Sequence, residues 1–295
     1  MKRIMIIGYT GQLGSSLMEE LSNFPDKYEL IGLSSKDIDI RNKDSIKENF
    51  QKYSPEIVIN TAAYTDVNQA EINPVPAYEM NAFAVFNLAK ECVEMQIVLM
   101  HISTDYVFGA KQLKVLTECD NVNPLNTYGA SKLAGEVILR NIMDGNVPWY
   151  IVRTSNLYGK NPNKEKGTFL LNCLKKIKNK ENIYLNNTNM MSPTYTNDAA
   201  WYVGKILEKE HGLYHASNFD ITSPYDFITT AVTIINENNF SNDYNMSHVI
   251  LKNETNSITN RPRFSFIGTS RSIGCKMPTW EDALNRFLVE NKEIL

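Results

Sequence analysis

Tyr128 and Lys132 stand four residues apart in Tyr128-Gly129-Ala130-Ser131-Lys132. On a helix that spacing projects both side chains from one face. An ammonium beside a phenol favours the phenolate and lowers the phenol from about 10 towards neutral pH. The pair therefore predicts a tyrosine that exchanges a proton in catalysis. A bare Tyr-x-x-x-Lys is common by chance, so its surroundings matter. Upstream, the apolar run 97–102 reads as a strand and ends in Ser103-Thr104-Asp105-Tyr106. A hydroxyl at that strand end, near the phenol, can hold a carbonyl oxygen and strengthen its bond as charge develops there.

A third group lies at the start of the chain. The β-branched run 3–7 enters Gly8-Tyr9-Thr10-Gly11-Gln12-Leu13-Gly14. Gly8 suits a tight turn, Gly11 lets backbone N–H groups approach a pyrophosphate, and Gly14 lets a helix pack close to the strand. The G-x-x-G-x-x-G spacing differs from the usual G-x-G-x-x-G. By itself it also fits a plain strand-turn-helix junction.

These groups need a scaffold that brings them together. Residues 1–155 alternate strands (near 3–8, 28–33, 56–60, 97–103 and 149–154) with helices from Gln12, about Asp44, Pro74 and Leu125. Pro74 after Asn73 predicts a helix start, with asparagine as cap and proline in the first turn. Such alternation predicts an α/β fold, a Rossmann-type doubly wound parallel sheet. Ligands of such sheets bind beyond the carboxyl ends of the strands, where Gly8, Ala62, Thr104 and Thr154 fall. Residues 156–295 read mainly as a smaller α/β substrate lobe, interleaved with the last sheet strands and closing over the crevice. They include a polar loop at 160–167, a helix at 168–178 and a terminal helix at 282–291. The helix at 168–178 has Phe169, Leu170, Cys173, Leu174 and Ile177 on one side. His211 and His215 flank Gly212 in a turn entering a strand, a geometry unsuited to a shared metal, and no metal site is expected.

With these motifs the chain resembles the extended short-chain dehydrogenase/reductases, and within them the dTDP-4-dehydrorhamnose reductase branch. The resemblance covers nearly the whole chain. It includes Asn60-Thr61-Ala62-Ala63-Tyr64-Thr65, Arg153-Thr154-Ser155, Leu157-Tyr158-Gly159, Ser192-Pro193-Thr194, Gly212-Leu213-Tyr214-His215, and Arg261-Pro262 ahead of Ser265. It implies reduction of the 4-keto group of a nucleotide-linked 4-keto-6-deoxy sugar, for a deoxysugar of a surface glycan. Tyr128 would be the proton donor, Lys132 would tune it and hold the nicotinamide ribose, and Thr104 would bond the carbonyl oxygen. Cofactor contacts are implied for Gly8, Thr10, Gly11, Gln12, Leu13, Gly14, Ser34, Asp39, Ile40, Ala62, Ala63, Tyr64, Asn81, Ser103, Tyr128 and Lys132. Asp39-Ile40 would frame the adenine. Asn81 would act through backbone contacts or water, or be an ordinary polar helix residue. Substrate contacts are implied for Val67, Thr104, Tyr106, Tyr128, Asn156 and Arg261.

Cofactor choice turns on the end of the second strand, Gly32-Leu33-Ser34-Ser35-Lys36, where an acidic residue would favour NAD. Small hydroxyls and a lysine favour NADPH, with NADH usable, although Lys36 can equally be solvated. Arg261 suits a substrate phosphate, or a surface ion pair. Lys175, Lys176, Lys178 and Lys180 could favour a diphosphate substrate, although such a run is more often a solvated helix face. Asn156 replaces the tryptophan that the branch commonly carries, which implies an altered sugar pocket. Ser15 stands where some relatives place an acidic magnesium ligand of a dimer, so that metal dimer is not expected; a homodimer of another kind stays open.

The 295 residues carry a net charge of −3, which gives no electrostatic case for nucleic acid or a membrane surface. No run approaches the ~20 apolar residues of a membrane span. Cys92, Cys119, Cys173 and Cys275 are widely spaced and read as thiols of a reducing compartment, which with the absence of a signal-peptide pattern implies the cytoplasm. Two alternatives stand beside the reductase: a nucleotide-sugar epimerase, and a non-catalytic NADP-binding regulatory subunit. Intact Thr104, Tyr128 and Lys132 weigh against the latter.

Overall fold

A computed structural model of the chain describes residues 1–109, 114–160, 167–241, 243–253, 258–271 and 273–294. Most of the polar loop read at 160–167 therefore lies outside the described residues. The amino-terminal half runs β1 (Lys2–Ile7), α1 (Gln12–Ser22), β2 (Tyr28–Leu33), α2 (Lys43–Tyr53), β3 (Ile57–Asn60), α3 (Val67–Ile72), α4 (Val75–Tyr78), α5 (Ala84–Glu94), β4 (Val98–Thr104), α6 (Thr127–Met143) and β5 (Trp149–Thr154). The second half adds β6 (Leu157–Tyr158), α7 (Phe169–Lys178), β7 (Ile183–Leu185), β8 (Met190–Met191), β9 (Thr194–Tyr195), α8 (Thr196–Ile206), β10 (Gly212–His215), α9 (Pro224–Glu237), β11 (Val249–Leu251), β12 (Phe264–Ser265) and α10 (Trp280–Glu290).

Successive side chains of β1 are buried on opposite faces. Ile4 and Ile6 meet Leu13, Leu17 and Leu21 of α1, while Met5 and Ile7 join Phe50 of α2 and Leu88 of α5. A strand covered on both faces reads as a continuous apolar run, and this makes β1 legible. The main sheet is parallel throughout, in the order β2-β1-β3-β4-β5-β10. Strand order reverses between β1 and β3, the switch point where doubly wound sheets hold ligands. α8 packs against α1, and β10 completes the sheet, so part of the chain beyond residue 155 builds the first layer. A separate core joins α7, α9 and α10 around Tyr158, Phe227 and Phe287.

The start of the third helical region differs from expectation. Asn73 ends the short helix α3 in extended backbone, and Pro74 itself is the N-cap of α4. α4 then continues into α5 through one π-helical turn at Glu79–Phe83. α6 begins at Thr127, two residues later than read, because the Asn126 side chain accepts from the Gly129 N–H at 2.8 Å. α7 buries Leu170, Cys173, Leu174 and Ile177 as patterned, but Phe169 is exposed.

Candidate active site

The glycine-rich turn joins β1 to α1. Gly8 has φ +83°, and a Cβ on Gly14 would lie 2.3 Å from the Gly8 carbonyl oxygen, so α1 approaches the turn as only glycine permits. Gly11 is the N-cap of α1 and supplies no side-chain cap, and no acidic residue stands in the first turn. The first N–H groups of α1 are left for an anion, with the helix dipole favouring negative charge. Thr10 and Gln12 flank Gly11, and Gln12 Oε1 is buried with no protein partner. Leu13 packs into the core. This cradle fits a dinucleotide pyrophosphate.

At the end of β2, Ser34 is bonded twice to Asp37. Its N–H and its hydroxyl both donate to Oδ2, at 2.8 and 2.6 Å, which lowers the Asp37 carboxyl. Asp39 is held bidentately by Arg41 at 2.9 Å, and that guanidinium keeps its carboxyl low. Asp39 and Arg41 rim a hollow of about 390 Å³ with Phe83 and Asn87. Ile40 is buried in the core, so of the pair Asp39 alone faces outward.

Beyond β3, Ala62, Ala63 and Tyr64 line the next strand end and are half-buried. Asn81, in the π turn and fully buried, clamps that segment: its Oδ1 accepts from the Tyr64 N–H at 2.9 Å, and its Nδ2 donates to the Tyr64 carbonyl and to Ser131 Oγ, each at 3.0 Å. Single π turns are frequent at functional sites.

The end of β4 carries the reacting groups. α6 presses against this strand end so closely that a Cβ on Gly129 would stand 2.2 Å from the Tyr106 carbonyl. This brings the Tyr128 ring edge-on to Tyr106, with centroids 5.6 Å apart, and its phenol against Thr104. The Thr104 hydroxyl donates to Asp105 Oδ1 at 3.0 Å and accepts from the Tyr106 N–H at 3.2 Å. Asp105 also receives the hydroxyls of Ser155, at 2.9 Å, and Ser265. Burial nevertheless raises its carboxyl.

Two expectations change. Burial pushes the Tyr128 phenol up, not down, and Lys132 does not oppose this. The reason is direction: Lys132 Nζ lies 2.6 Å from the Ile102 carbonyl oxygen and 3.1 Å from His101 Nε2. The Ser103 hydroxyl does not face the crevice. It donates to Glu136 at 2.5 Å, inside an ion pair with Arg153, so a cofactor contact from Ser103 is left to its main chain.

The substrate side is formed by α3, α6 and the 258–261 segment. Val67 opens α3 beside Asn68, whose Oδ1 accepts from Thr259 at 3.0 Å and lies 3.5 Å from Arg261 Nη2. Asn126 reaches across from α6 to the Asn260 carbonyl at 2.8 Å. Burial and the neighbouring Asp105 raise the Tyr106 phenol, and the exposed Arg261 lies close enough for its charge to oppose this in part. Asn156 is exposed just past β5 at φ 43°, a left-handed position that asparagine tolerates, and donates to Ser155 Oγ at 3.0 Å.

The sequence reading gave no role to Asn60, His101, Asp105, Asn68 or Asn126, although Asn68 departs from the aspartate usual in the branch. Only Asn126, a cap residue immediately ahead of the Tyr128 helix, carried a readable signal. Among the described residues no cluster of His, Cys, Asp and Glu could hold a metal ion, and no helix is long and apolar enough to cross a membrane. His215 instead bonds the Gly268 carbonyl through Nδ1 at 2.7 Å.

The RmlD substrate binding domain family matches residues 1–293. A spore coat polysaccharide biosynthesis protein of Bacillus subtilis, SpsK, is 32% identical over 98% of each chain. A dTDP-4-dehydrorhamnose reductase of Aggregatibacter actinomycetemcomitans is 34% identical over 80% of this chain and 79% of its own. The crystal structure of dTDP-4-dehydrorhamnose reductase from Bacillus anthracis in complex with NADP superposes with a TM-score of 0.86 at 34% identity, covering 98% of this chain and 99% of that one.

Proposed function

The chain belongs to the RmlD substrate binding domain family, and from that premise we propose that it reduces the 4-keto group of a nucleotide-linked 4-keto-6-deoxy sugar with NADPH. It is an NAD(P)-dependent oxidoreductase. The observation that carries this reading is the meeting of the Thr104 hydroxyl and the Tyr128 phenol at the end of β4, two strands along the sheet from β1, whose end leads into the uncapped start of α1.

When bound, the reduced nicotinamide supplies a hydride to the carbonyl carbon. The free N–H groups at the start of α1 hold the pyrophosphate, and Asn81 fixes the Ala62–Tyr64 wall of the channel. Thr104 and Tyr128 bond the carbonyl oxygen, and Tyr128 gives it the proton. The raised phenol suits this direction, because a proton donor must stay protonated until the oxygen becomes basic. Arg261 and Asn68 face the diphosphate, and Asn156 faces the sugar where the branch has tryptophan. All assigned residues come from one chain, so the reading holds for a monomer and a homodimer alike. The B. subtilis relative's name, a spore coat polysaccharide biosynthesis protein, supports a role in supplying a sugar for a surface polysaccharide; in this reading the sugar is a deoxysugar made from a cytoplasmic nucleotide-sugar pool.

The test is absorbance of reduced nicotinamide with dTDP-4-keto-6-deoxy-L-lyxo-hexulose. Substrate-dependent loss of NADPH is expected; no loss, with cofactor binding shown separately, would overturn the substrate assignment. A second expectation concerns Asp37, whose carboxylate occupies both Ser34 donors. Asp37→Asn removes a negative charge beside the position of the 2′-phosphate. It is expected to tighten NADPH by roughly three- to tenfold at low salt and leave NADH within about twofold. Fluorescence titration of both cofactors checks this, and equal effects on both would contradict it.

A further inference from the structure

Asp105 is a buried carboxyl, 1% exposed, that the proposed chemistry does not use. Three hydroxyls point their hydrogens at it. Thr104 of β4 donates to Oδ1 at 3.0 Å, while Ser155, just past β5, and Ser265 of β12 both donate to Oδ2. Ser155 Oγ accepts from Asn156 Nδ2 at 3.0 Å, so its hydrogen is left for the carboxylate. The direction of the Thr104 hydrogen bears on the reaction. Thr104 Oγ has one hydrogen and two lone pairs. One lone pair accepts from the Tyr106 N–H at 3.2 Å, and the hydrogen lies on Asp105. What remains for the side that meets the Tyr128 phenol is a lone pair. A carbonyl oxygen arriving there also presents lone pairs, and the two repel instead of bonding.

A proton on the carboxyl removes this conflict. Oδ2 already receives two hydroxyls and Oδ1 receives one, so the proton fits on Oδ1. Oδ1–H then donates to Thr104 Oγ, and the Thr104 hydrogen is free to meet the carbonyl oxygen. We propose that Asp105 is a positioning residue that sets the direction of the Thr104 hydrogen: ionised, it draws the hydrogen off the carbonyl oxygen, and protonated on Oδ1, it turns the hydrogen onto it. Ser155 and Ser265 keep their bonds to Oδ2 in both forms, so β12 stays fastened to the end of β4. Burial acts in the same direction, raising the Asp105 carboxyl, while its three hydroxyl bonds oppose the rise.

Among the described residues, the titratable groups facing Asp105 are two phenols, Tyr106 after β4 and Tyr128 of α6, and its negative charge raises both. Past β5 and on β12 it meets serines. The buried cation of β5, Arg153, is held by Glu136 instead. The sign for turnover follows. The form with the Thr104 hydrogen on the carbonyl oxygen is present below the midpoint of Asp105 and is lost as pH rises through it. This consequence rests on Thr104 bonding the carbonyl oxygen of the keto sugar, whereas the proton on Asp105 does not.

The first test needs no turnover. Aspartate labelled with ¹³C at the carboxyl carbon reports each titration by NMR in the full-length protein without nucleotide, with assignment from Asp105→Asn. The Asp105 midpoint is expected above the ordinary aspartate value of about 4, and a midpoint at or below that value would overturn the proposal. The second test reads the link to Thr104. With NADPH, kcat/KM for dTDP-4-keto-6-deoxy-L-lyxo-hexulose should fall as pH rises through the Asp105 midpoint. Asp105→Asn offers Thr104 a donor at every pH through Nδ2–H, and it keeps an oxygen for both serines. That variant should lack this limb, and one pH unit above the parent's midpoint its kcat/KM should be about tenfold higher than the parent's. Thr104→Val removes the hydroxyl through which Asp105 acts, so its slower residual turnover should lack the limb as well. A limb retained in either variant would overturn the proposal, as would an Asp105→Asn variant that binds NADPH yet is slower than the parent at that pH. A parent inactive on the keto sugar, with a raised Asp105 midpoint, would overturn the keto-sugar reading and leave the proton on Asp105 in place.

Discussion

Tyr128→Phe is expected to bind NADPH as the parent does and to turn over at least about 100-fold more slowly. The substitution removes one oxygen and keeps the ring, so the edge-on contact with Tyr106 and the close seat of α6 at Gly129 persist. What is lost is the proton for the developing alkoxide and one of two hydroxyls aimed at the carbonyl oxygen. The loss should fall on kcat, because the proton moves in the transition state. Steady-state kinetics beside a cofactor titration separates the two effects. Turnover within about threefold of the parent would remove Tyr128 from the role.

Glu136→Gln is expected to cost stability on a scale that few single substitutions reach. Glu136 and Arg153 are 3% and 4% exposed, and the guanidinium meets the carboxylate at 2.9 and 2.6 Å. Glutamine keeps the shape but leaves a buried cation without its counter-charge, an imbalance of about 3–5 kcal/mol. Arg153 lies over the Phe108 ring at 5.0 Å, a contact too weak to replace the carboxylate. Urea unfolding should show the midpoint fall with an unchanged slope. Replacing both partners by leucine and methionine should recover much of the loss, since no unpaired charge then remains. A Glu136→Gln variant within about 1 kcal/mol of the parent would contradict this account of the pair.

How much was legible in the chain varied with the range of the interactions. The strands of the main sheet were readable because both faces are covered, which leaves unbroken apolar runs such as 3–7 and 97–102. Tyr128 and Lys132 were readable because helical spacing is local. α3 was not, since its six residues bury only Ala70 and are held by the Asp66 cap instead of an apolar stripe. The π turn that carries Asn81 gives no sequence signal, because it arises where α4 and α5 join. The partners of the reacting groups were least visible. Asn60 meets His101 through strand register, and Asp105 gathers Ser155 and Ser265 from 50 and 160 residues away. The direction of Lys132 follows from those non-local contacts. Spacing put the ammonium near the phenol, and only the surrounding β4 groups reveal what Nζ bonds.

The central claim is that this protein moves a hydride to C4 of a nucleotide-linked keto sugar and completes the reduction with the proton of Tyr128. Its most direct measurement uses NADPH deuterated at the transferred position with dTDP-4-keto-6-deoxy-L-lyxo-hexulose, and NMR of the sugar product. The account predicts one deuterium at C4 of the sugar, with one NADPH consumed per product formed. A product without deuterium at C4, or a sugar altered with no net consumption of NADPH, would contradict it.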